Sequence, residues 1–305
     1  YTTGTSIHTG GQPRESLRTV YGRIDQDIDR AIELLEKARE TTLAENNKSH
    51  INLYVALGIK SRACLAEGDW DGAFKAAKRV IDEGGYAVGT KSDLTSGMNS
   101  LDKQNVMWGA GIQVADQAGG YAGFFTHMDN KEGAYAKSAP KLISKQLYNR
   151  ISATDIRRDW WDPSDKESPY VSKKFSFANV ASFLGDYIYM RVEEMYFTAA
   201  EAALRLDDLK SARELMNTVM AERDPGYSAN NRSGTLLGAT TTTWTGSFLE
   251  NILTHRRIEL WGEYGRLFDV RRLGQGIDRR TDDGFSEECI SMMNRRNVNI
   301  TKADT

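Results

Sequence analysis

Residues 249–274 read LENILTHRRIELWGEYGRLFDVRRLG and carry the densest pattern of this 305-residue chain. Apolar side chains recur in it every three to four residues, which places them on one face of a helix. Charged side chains recur at the same steps on the neighbouring face, where ion pairs can form within the helix. The stretch therefore predicts an amphipathic helix, with Leu249, Ile252, Leu253, Leu260 and Tyr264 on the apolar stripe and Arg256, Glu259 and Glu263 beside it.

Gly265 follows this stripe and favours a left-handed turn at the helix end, because glycine accepts a positive φ at little cost. Beyond it, Leu267, Phe268, Val270 and Leu273 alternate with charged residues. This pattern predicts a second short helix that folds back on the first.

The charged residues of this stretch lie close to apolar ones. Such groups more often form a satisfied, partly buried ion network than a catalytic centre. Arg256 and Glu259 are therefore expected to be structural, and the ligand is expected to bind elsewhere.

The same stretch closely resembles the signature of the SusD/RagB family of cell-surface nutrient-binding lipoproteins. Ten positions agree at fixed spacing, while Tyr264 and Gly265 displace the usual glycine step by one residue. The matching residues are Arg256, Arg257, Glu259, Leu260, Glu263, Arg266, Phe268, Asp269, Arg271 and Arg272.

Two further segments predict helix hairpins of the tetratricopeptide kind. In the first, helices near 51–66 and 70–83 flank a short acidic turn, and the second repeats this arrangement over 187–222. The two segments match position by position, with Leu65, Trp70, Ala73 and Val80 corresponding to Leu204, Leu209, Ala212 and Val219. A hairpin cannot bury its apolar face alone, so several must stack, and partial units near 17–38 and 249–273 would complete the stack.

The predicted fold is therefore mostly α, with tetratricopeptide-like helix-hairpin repeats and a large irregular insertion containing short strands. The resemblance implies the same architecture. The chain divides into helical repeats over 14–86, a variable ligand-binding insertion over 87–186, a repeat over 187–226, an exposed loop over 227–247, signature helices over 248–276 and a polar tail over 277–305. Within the insertion, 105–114 and 170–177 read as strands and 140–150 as a short helix with Leu142, Ile143 and Leu147 inward.

Composition excludes several classes of protein. The chain has 40 Lys and Arg against 42 Asp and Glu, so it lacks the basic excess of a nucleic-acid-binding protein. No stretch approaches the ~20 apolar residues of a membrane-spanning helix. The two cysteines, Cys64 and Cys289, share no metal-type spacing with the four histidines. The fragment 281–284 lacks the spacing of a calcium loop, and neither a metal nor a cofactor is expected.

A full member of the family would begin with a lipid-carrying cysteine and an early helix pair, and would close with a hydrophobic, proline-containing strand. These features are absent from the sequence. The chain is therefore expected to be a truncated or processed one, and surface anchoring rests on the resemblance alone.

The insertion carries the candidate ligand-binding residues. Sugars offer C–H faces that stack on aromatic rings and hydroxyls that pair with polar groups. One candidate group follows Gly119 and Gly120 in a loop, and the other is a pair of adjacent tryptophans, of which one is expected to be exposed because neighbours in an extended chain point to opposite sides. The candidates are Tyr121, Phe124, Phe125, Asn130, Trp160 and Trp161. An alternative is that these rings merely fix the insertion to the helices.

Other aromatic residues are read differently. Trp70 and Trp261 lie on helical stripes and are expected in the core. Trp108 beside Gly109 fits either role, and Trp244 lies in the predicted exposed loop.

The main functional hypothesis is a non-catalytic binder of glycans. The resemblance implies delivery of the ligand to a SusC-like, TonB-dependent transporter in the outer membrane, at the cell surface. A tetratricopeptide-type adaptor that binds peptides or proteins is the alternative, and a glycosidase is a third possibility. The sequence shows neither a Ser-His-Asp catalytic-triad pattern nor a glycine-rich phosphate-binding motif, so it gives no sign of catalysis.

Overall fold

The computed structural model describes residues 14–39, 47–116, 123–232 and 246–275. The described chain is mostly helical, as predicted. In the N-terminal half the helices are α1 (Leu17–Arg39), α2 (Leu53–Glu67), α3 (Trp70–Glu83), α4 (Lys91–Leu94), α5 (Phe124–Met128), α6 (Ala134–Ser138) and α7 (Lys145–Tyr148). They are followed by α8 (Val192–Arg205), α9 (Leu209–Ala221), α10 (Phe248–Glu259) and α11 (Arg266–Arg272), with short 3-10 turns at Val114–Asp116 and Ile156–Trp160.

The two hairpins, α2–α3 and α8–α9, turn in the same way. Gly68 and Asp207 both take positive φ, at 84° and 63°. The next residue in each turn, Asp69 or Asp208, caps the following helix by accepting a backbone N–H bond. The sequence-predicted equivalence of the two hairpins is confirmed.

The main core lies where these hairpins stack. Helix α3 packs on α8, which in turn packs on α9 and α10, while α1 packs on α2. The inward stripes are dominated by alanine and medium-sized apolar side chains, so the helices approach closely. Fully buried members include Ala77, Val80, Met195, Phe197, Ala212, Val219 and Ile252.

Two short antiparallel sheets accompany the helices. Strand β1 (Val106–Ala110) pairs with β4 (Tyr187–Arg191), with Ala110 opposite Tyr187. Strand β2 (Trp161–Asp162) pairs with β3 (Val171–Ser172). The predicted helix hairpin over 187–222 therefore begins with a strand, because the aromatic and β-branched residues of the Tyr-Ile-Tyr-Met run favour an extended chain. Helix α8 starts only at Val192.

The signature segment folds as two helices, but the first is shorter than predicted. Helix α10 ends at Glu259, and a loop over 260–265 with Gly262 and Gly265 at positive φ leads into α11. Leu260 and Tyr264 therefore do not continue the helical stripe.

The structure also shows how deeply several individual side chains are buried. Cys64 is buried. Leu142 is 40% exposed rather than inward, while Ile143 and Leu147 are buried. Trp70 and Trp261 are only partly buried against the cores. Trp244, Cys289 and residues 281–284 lie outside the described residues.

Within the described ranges, no helix combines the length and apolar character that crossing a bilayer requires. The same residues contain no cluster of three or more His, Cys, Asp or Glu side chains that could hold a metal ion.

Candidate functional site

A cleft of about 500 Å³ opens between the β1–β4 sheet, α2, α5 and the loop over 260–265. Its walls are mainly apolar and aromatic, with a few polar groups, which is typical of a small-molecule site. The lining residues are Arg62, Met98, Trp108, Phe124, Phe175, Tyr187, Ile188, Tyr189, Gly262, Glu263 and Tyr264.

The sheet supplies one wall of the cleft. Tyr187, Ile188 and Tyr189 of β4 all line it. Trp108 on β1 meets Tyr189 edge to face, with ring centroids 5.1 Å apart. Tyr189 is 42% exposed, and this pair therefore presents aromatic surface that a ligand can reach.

The loop over 260–265 supplies the opposite wall. Gly262 has φ +75°, and a Cβ there would lie 2.5 Å from the Phe175 ring. Glycine is therefore required for both its conformation and its small size. The next two residues, Glu263 and Tyr264, turn toward the cleft. The signature motif was expected to be purely structural, but its inter-helix loop forms part of this candidate site.

Arg62 of α2 lies between the two walls. Its Nε and Nη2 donate to the Glu194 carboxylate at 2.8 and 2.6 Å, and Nη2 also donates to the Tyr189 carbonyl oxygen at 2.8 Å. Its guanidinium lies 3.8 Å from the centre of the Tyr264 ring. Burial alone would lower the pKa of Arg62, but Glu194 reverses this effect and the pKa lies above its ordinary value. Arg62 therefore holds both β4 and Tyr264 in place.

Behind the cleft lies the ion network that the sequence predicted. Glu259 accepts hydrogen bonds from three buried arginines, Arg157, Arg191 and Arg223, at 3.0 to 3.2 Å. Arg191 also donates to both carboxylate oxygens of Glu263 at 2.8 Å. Because Arg191 ends β4 and Glu263 belongs to the loop over 260–265, this network joins the two walls of the cleft.

A second part of the network surrounds Arg256. It pairs with Asp269 at 3.2 Å and donates to the Thr198 hydroxyl at 3.1 Å. Arg272 joins Asp269 to Glu201. The prediction of a buried ion network is confirmed, but the partners of Arg256 come from α8 and α11 rather than from its own helix.

Three side chains in or beside the network, Glu263, Lys174 and His255, have shifted pKa values. Burial alone would raise the pKa of Glu263, but Arg191 and Lys174 more than offset this, and the pKa lies below its ordinary value. Burial lowers the pKa of Lys174 to about 8. Burial also lowers the pKa of His255, and Arg157 beside it lowers it further. Glu263 is therefore ionised near neutral pH, and His255 is uncharged there.

The two adjacent tryptophans lie in a second core, beneath the insertion. Trp160 and Trp161 are 2% and 1% exposed, so the prediction that one of them is exposed is wrong. Trp160 ends a 3-10 turn and donates from Nε1 to the Leu94 carbonyl oxygen at 2.8 Å. Trp161 packs edge to face on Trp261. Trp160 is thus bound to another part of the insertion, and Trp161 packs on the loop over 260–265, in line with the alternative that these rings fix the insertion in place.

The glycine-led aromatic group is divided. Phe125 is buried, with its ring against Gly185, and is not a surface platform. Phe124 is partly buried and lines the cleft, 5.2 Å from the Phe175 ring. Tyr121 lies outside the described residues.

Asn130 lies at a different place, in a polar cleft of about 760 Å³ bordered by α6 and the β2–β3 hairpin. Its amide donates to the Ser172 carbonyl oxygen at 2.7 Å and accepts from the Lys141 N–H at 2.8 Å. This side chain therefore holds two segments of the insertion together. The structure does not bring Asn130 and Phe124 into one site.

Sequence reasoning missed Arg62, Tyr187, Tyr189 and Tyr264 as candidates. The two strand tyrosines were assigned to a helix hairpin, although aromatic and β-branched residues in a short run favour a strand. Arg62 had no such signal, since its role depends on partners more than a hundred residues away.

The SusD family model matches residues 125–303, and the chain belongs to this family. A solved structure of a SusD-like carbohydrate-binding protein from Bacteroides vulgatus is similar, with a TM-score of 0.72 and 28% identity over 90% of this chain and 56% of that one. A SusD superfamily protein from Bacteroides thetaiotaomicron has a TM-score of 0.72 and 21% identity, covering 96% of this chain and 63% of that one. No curated protein matches the chain.

The chain thus spans 56% to 63% of the length of these two solved structures. The expected family and the expected mostly helical fold are both confirmed.

Proposed function

We propose that this protein binds glycans in the aromatic cleft. The observation that carries the proposal is the pair of the partly buried Trp108 and the exposed Tyr189, which lines a cleft of about 500 Å³ together with the Arg62-supported ring of Tyr264. Aromatic faces can stack on the C–H faces of sugar rings, while hydroxyl and indole N–H groups pair with sugar hydroxyls. The similar structure from Bacteroides vulgatus is that of a carbohydrate-binding protein, which supports the same ligand class.

We further propose that the protein acts at the surface of the outer membrane and delivers its ligand to a SusC-like, TonB-dependent transporter. Membership of the family supports this role. A lipid anchor is proposed on the same ground.

Binding is proposed to occur without catalysis. Glycoside hydrolysis normally needs a carboxylic acid with a raised pKa to protonate the leaving group. Glu263, which lines the cleft, has a lowered pKa and is held by Arg191 and Lys174. It is therefore unsuited to the role of general acid.

The peptide-binding adaptor has less support. That hypothesis expects a groove lined by the faces of the helix hairpins. The cleft is instead lined mostly by the strands and the loop over 260–265, with Arg62 as the contribution of α2.

Affinity electrophoresis and isothermal titration against a panel of polysaccharides test the proposal. Trp108→Ala and Tyr189→Ala should weaken binding about tenfold or more, since each removes an aromatic contact worth on the order of 1.5 kcal/mol. The Tyr189 change leaves its carbonyl available to Arg62. Tyr135→Ala is the matched control, because Tyr135 is also 42% exposed and lines neither cleft. Unchanged affinity in both cleft variants, with unchanged melting temperature, would place the site elsewhere.

A further inference from the structure

The charge state of the cleft carries an inference about the class of glycan, which rests on the proposed function. Two charged side chains of the described residues line the cleft, Arg62 and Glu263. They have opposite signs. The class of ligand depends on whether either charge is available to a ligand or is already matched within the protein.

The charge of Arg62 is matched. Glu194 accepts from two of its nitrogens, and the side chains of Arg62 and Glu194 are 14% and 2% exposed, so the pair is largely buried. The Nη2 atom has a second acceptor in the Tyr189 carbonyl oxygen. Tyr264 covers a face of the guanidinium at 3.8 Å. An acidic sugar would have to compete with Glu194 for Arg62 at close range.

The charge of Glu263 is matched as well. Arg191 forms a two-point contact with its carboxylate, and the Lys174 ammonium binds Oε1. Arg191 and Lys174 are themselves fully buried, and both are shared with Glu259, through its carboxylate and its carbonyl oxygen respectively. These two cations therefore face into the network and not into the cleft.

The other described residues that line the cleft are aromatic or neutral. Among these residues, the side-chain polar groups are the hydroxyls of Tyr187, Tyr189 and Tyr264 and the indole N–H of Trp108. A carboxylate or sulfate entering such a site would lose hydration without gaining a free cation, and this carries a large penalty. A neutral sugar meets no such penalty.

We infer that the cleft selects neutral oligosaccharides and rejects glycans that carry uronic acid or sulfate groups. Recognition then comes from stacking and from hydrogen bonds between uncharged groups. Binding of this kind changes little with ionic strength, whereas binding through a free cation weakens as salt screens the charges.

The test titrates the full chain with two sets of soluble polysaccharides in 20 mM and 500 mM NaCl. The neutral set contains amylopectin, xyloglucan, galactomannan, arabinan and mannan, and the acidic set contains polygalacturonate, alginate, hyaluronan and chondroitin sulfate. We expect binding within the neutral set, a change in Kd of less than twofold between the two salt concentrations, and loss of binding in Trp108→Ala.

Three outcomes are distinct. Binding of an acidic polymer that is lost in Trp108→Ala and weakens severalfold at high salt would overturn the neutral-ligand inference and leave the glycan-binding function standing. Binding of neither set would overturn both. Neutral binding that Trp108→Ala and Tyr189→Ala leave unchanged would overturn the assignment of this cleft.

Discussion

Gly68 and Asp207 occupy the same position in two helix hairpins and share the left-handed conformation, with φ values of 84° and 63°. The turn geometry, not the residue type, is what the two hairpins have in common. Glycine adopts this conformation freely, and aspartate is among the few other residues that tolerate it.

Gly68→Ala should therefore destabilise the protein by about 1 kcal/mol, because alanine has no local hydrogen bond to offset the strain of a positive φ. Gly68→Asp should cost less than Gly68→Ala, since Asp207 already occupies the equivalent position. Gly22→Ala is the contrasting control: Gly22 lies within α1 with no atom near its would-be Cβ, and the change should stabilise the helix by up to about 1 kcal/mol. Urea unfolding measures all three, and equal effects of alanine and aspartate at position 68 would contradict the argument.

Glu259→Gln should lower the free energy of unfolding by about 3–5 kcal/mol, because it leaves buried arginines without their full countercharge. Arg157, Arg191 and Arg223 all donate to this carboxylate. Glu214→Gln, on an exposed side chain of α9, should change stability by less than about 0.5 kcal/mol. Chemical unfolding checks both variants. Folded Glu259→Gln protein should keep the ligand preference of the parent, and a changed preference at unchanged stability would give this residue a direct binding role.

Acidification should destabilise the protein through Glu201 and its partners. Burial would raise the pKa of Glu201, but Arg272 and Arg205 reverse this, and the folded-state pKa lies below the ordinary 4.5. A group whose pKa is lower in the folded than in the unfolded state contributes its full stability at a pH above its unfolded-state pKa. This contribution is lost as the pH falls through its folded-state pKa. The contribution should therefore be intact above about pH 4.5 and decline below it.

Melting temperatures from pH 7 to pH 3 measure this effect. Glu201→Gln lowers stability at neutral pH but should show a shallower decline below pH 4.5 than the parent. A parallel decline in both proteins would assign the acid sensitivity to other groups, such as Asp269, whose pKa is also lowered despite its burial.

Gly262→Ala should displace the loop over 260–265 and weaken glycan binding severalfold. The new Cβ would lie 2.5 Å from the Phe175 ring and 2.9 Å from the Met128 methyl group, so the loop or these side chains must shift. Crowding of this kind costs about 1–3 kcal/mol, in addition to the strain of a positive φ. Gly274→Ala separates the two effects, because Gly274 has φ +60° with no neighbour near its would-be Cβ. Equal losses of stability and affinity in both variants would show that crowding at Gly262 is unimportant.

The helix hairpins could be predicted from the sequence because their signals are local. Apolar residues recur at helical spacing, and Asp69 and Asp208 mark the starts of helices through their caps. The burial of Trp160 and Trp161 could not be predicted, because it depends on contacts with Leu94 and Trp261, which are distant in sequence.

The candidate site was less accessible to sequence reasoning than the scaffold. Phe124 was identified from its glycine-led aromatic group, and Trp108 was left open. Tyr264 was placed on a helical stripe, but α10 ends at Glu259, and Tyr264 lines the cleft from a loop in which Gly262 and Gly265 have positive φ. The spacing of apolar residues in the sequence does not show where the helix ends and the chain turns.

The pairing of Ala110 with Tyr187 has a consequence for engineering. The chain leaves the scaffold at the end of one strand and returns at the start of its neighbour, so residues 111–186 form an excursion with adjoining ends. The entropy of closing such an excursion changes only by about 0.6 kcal/mol for each doubling of its length. Segments of quite different size could thus be exchanged between these two points, provided that each supplies a side chain to cover Ile258, the residue of α10 that packs beneath the excursion.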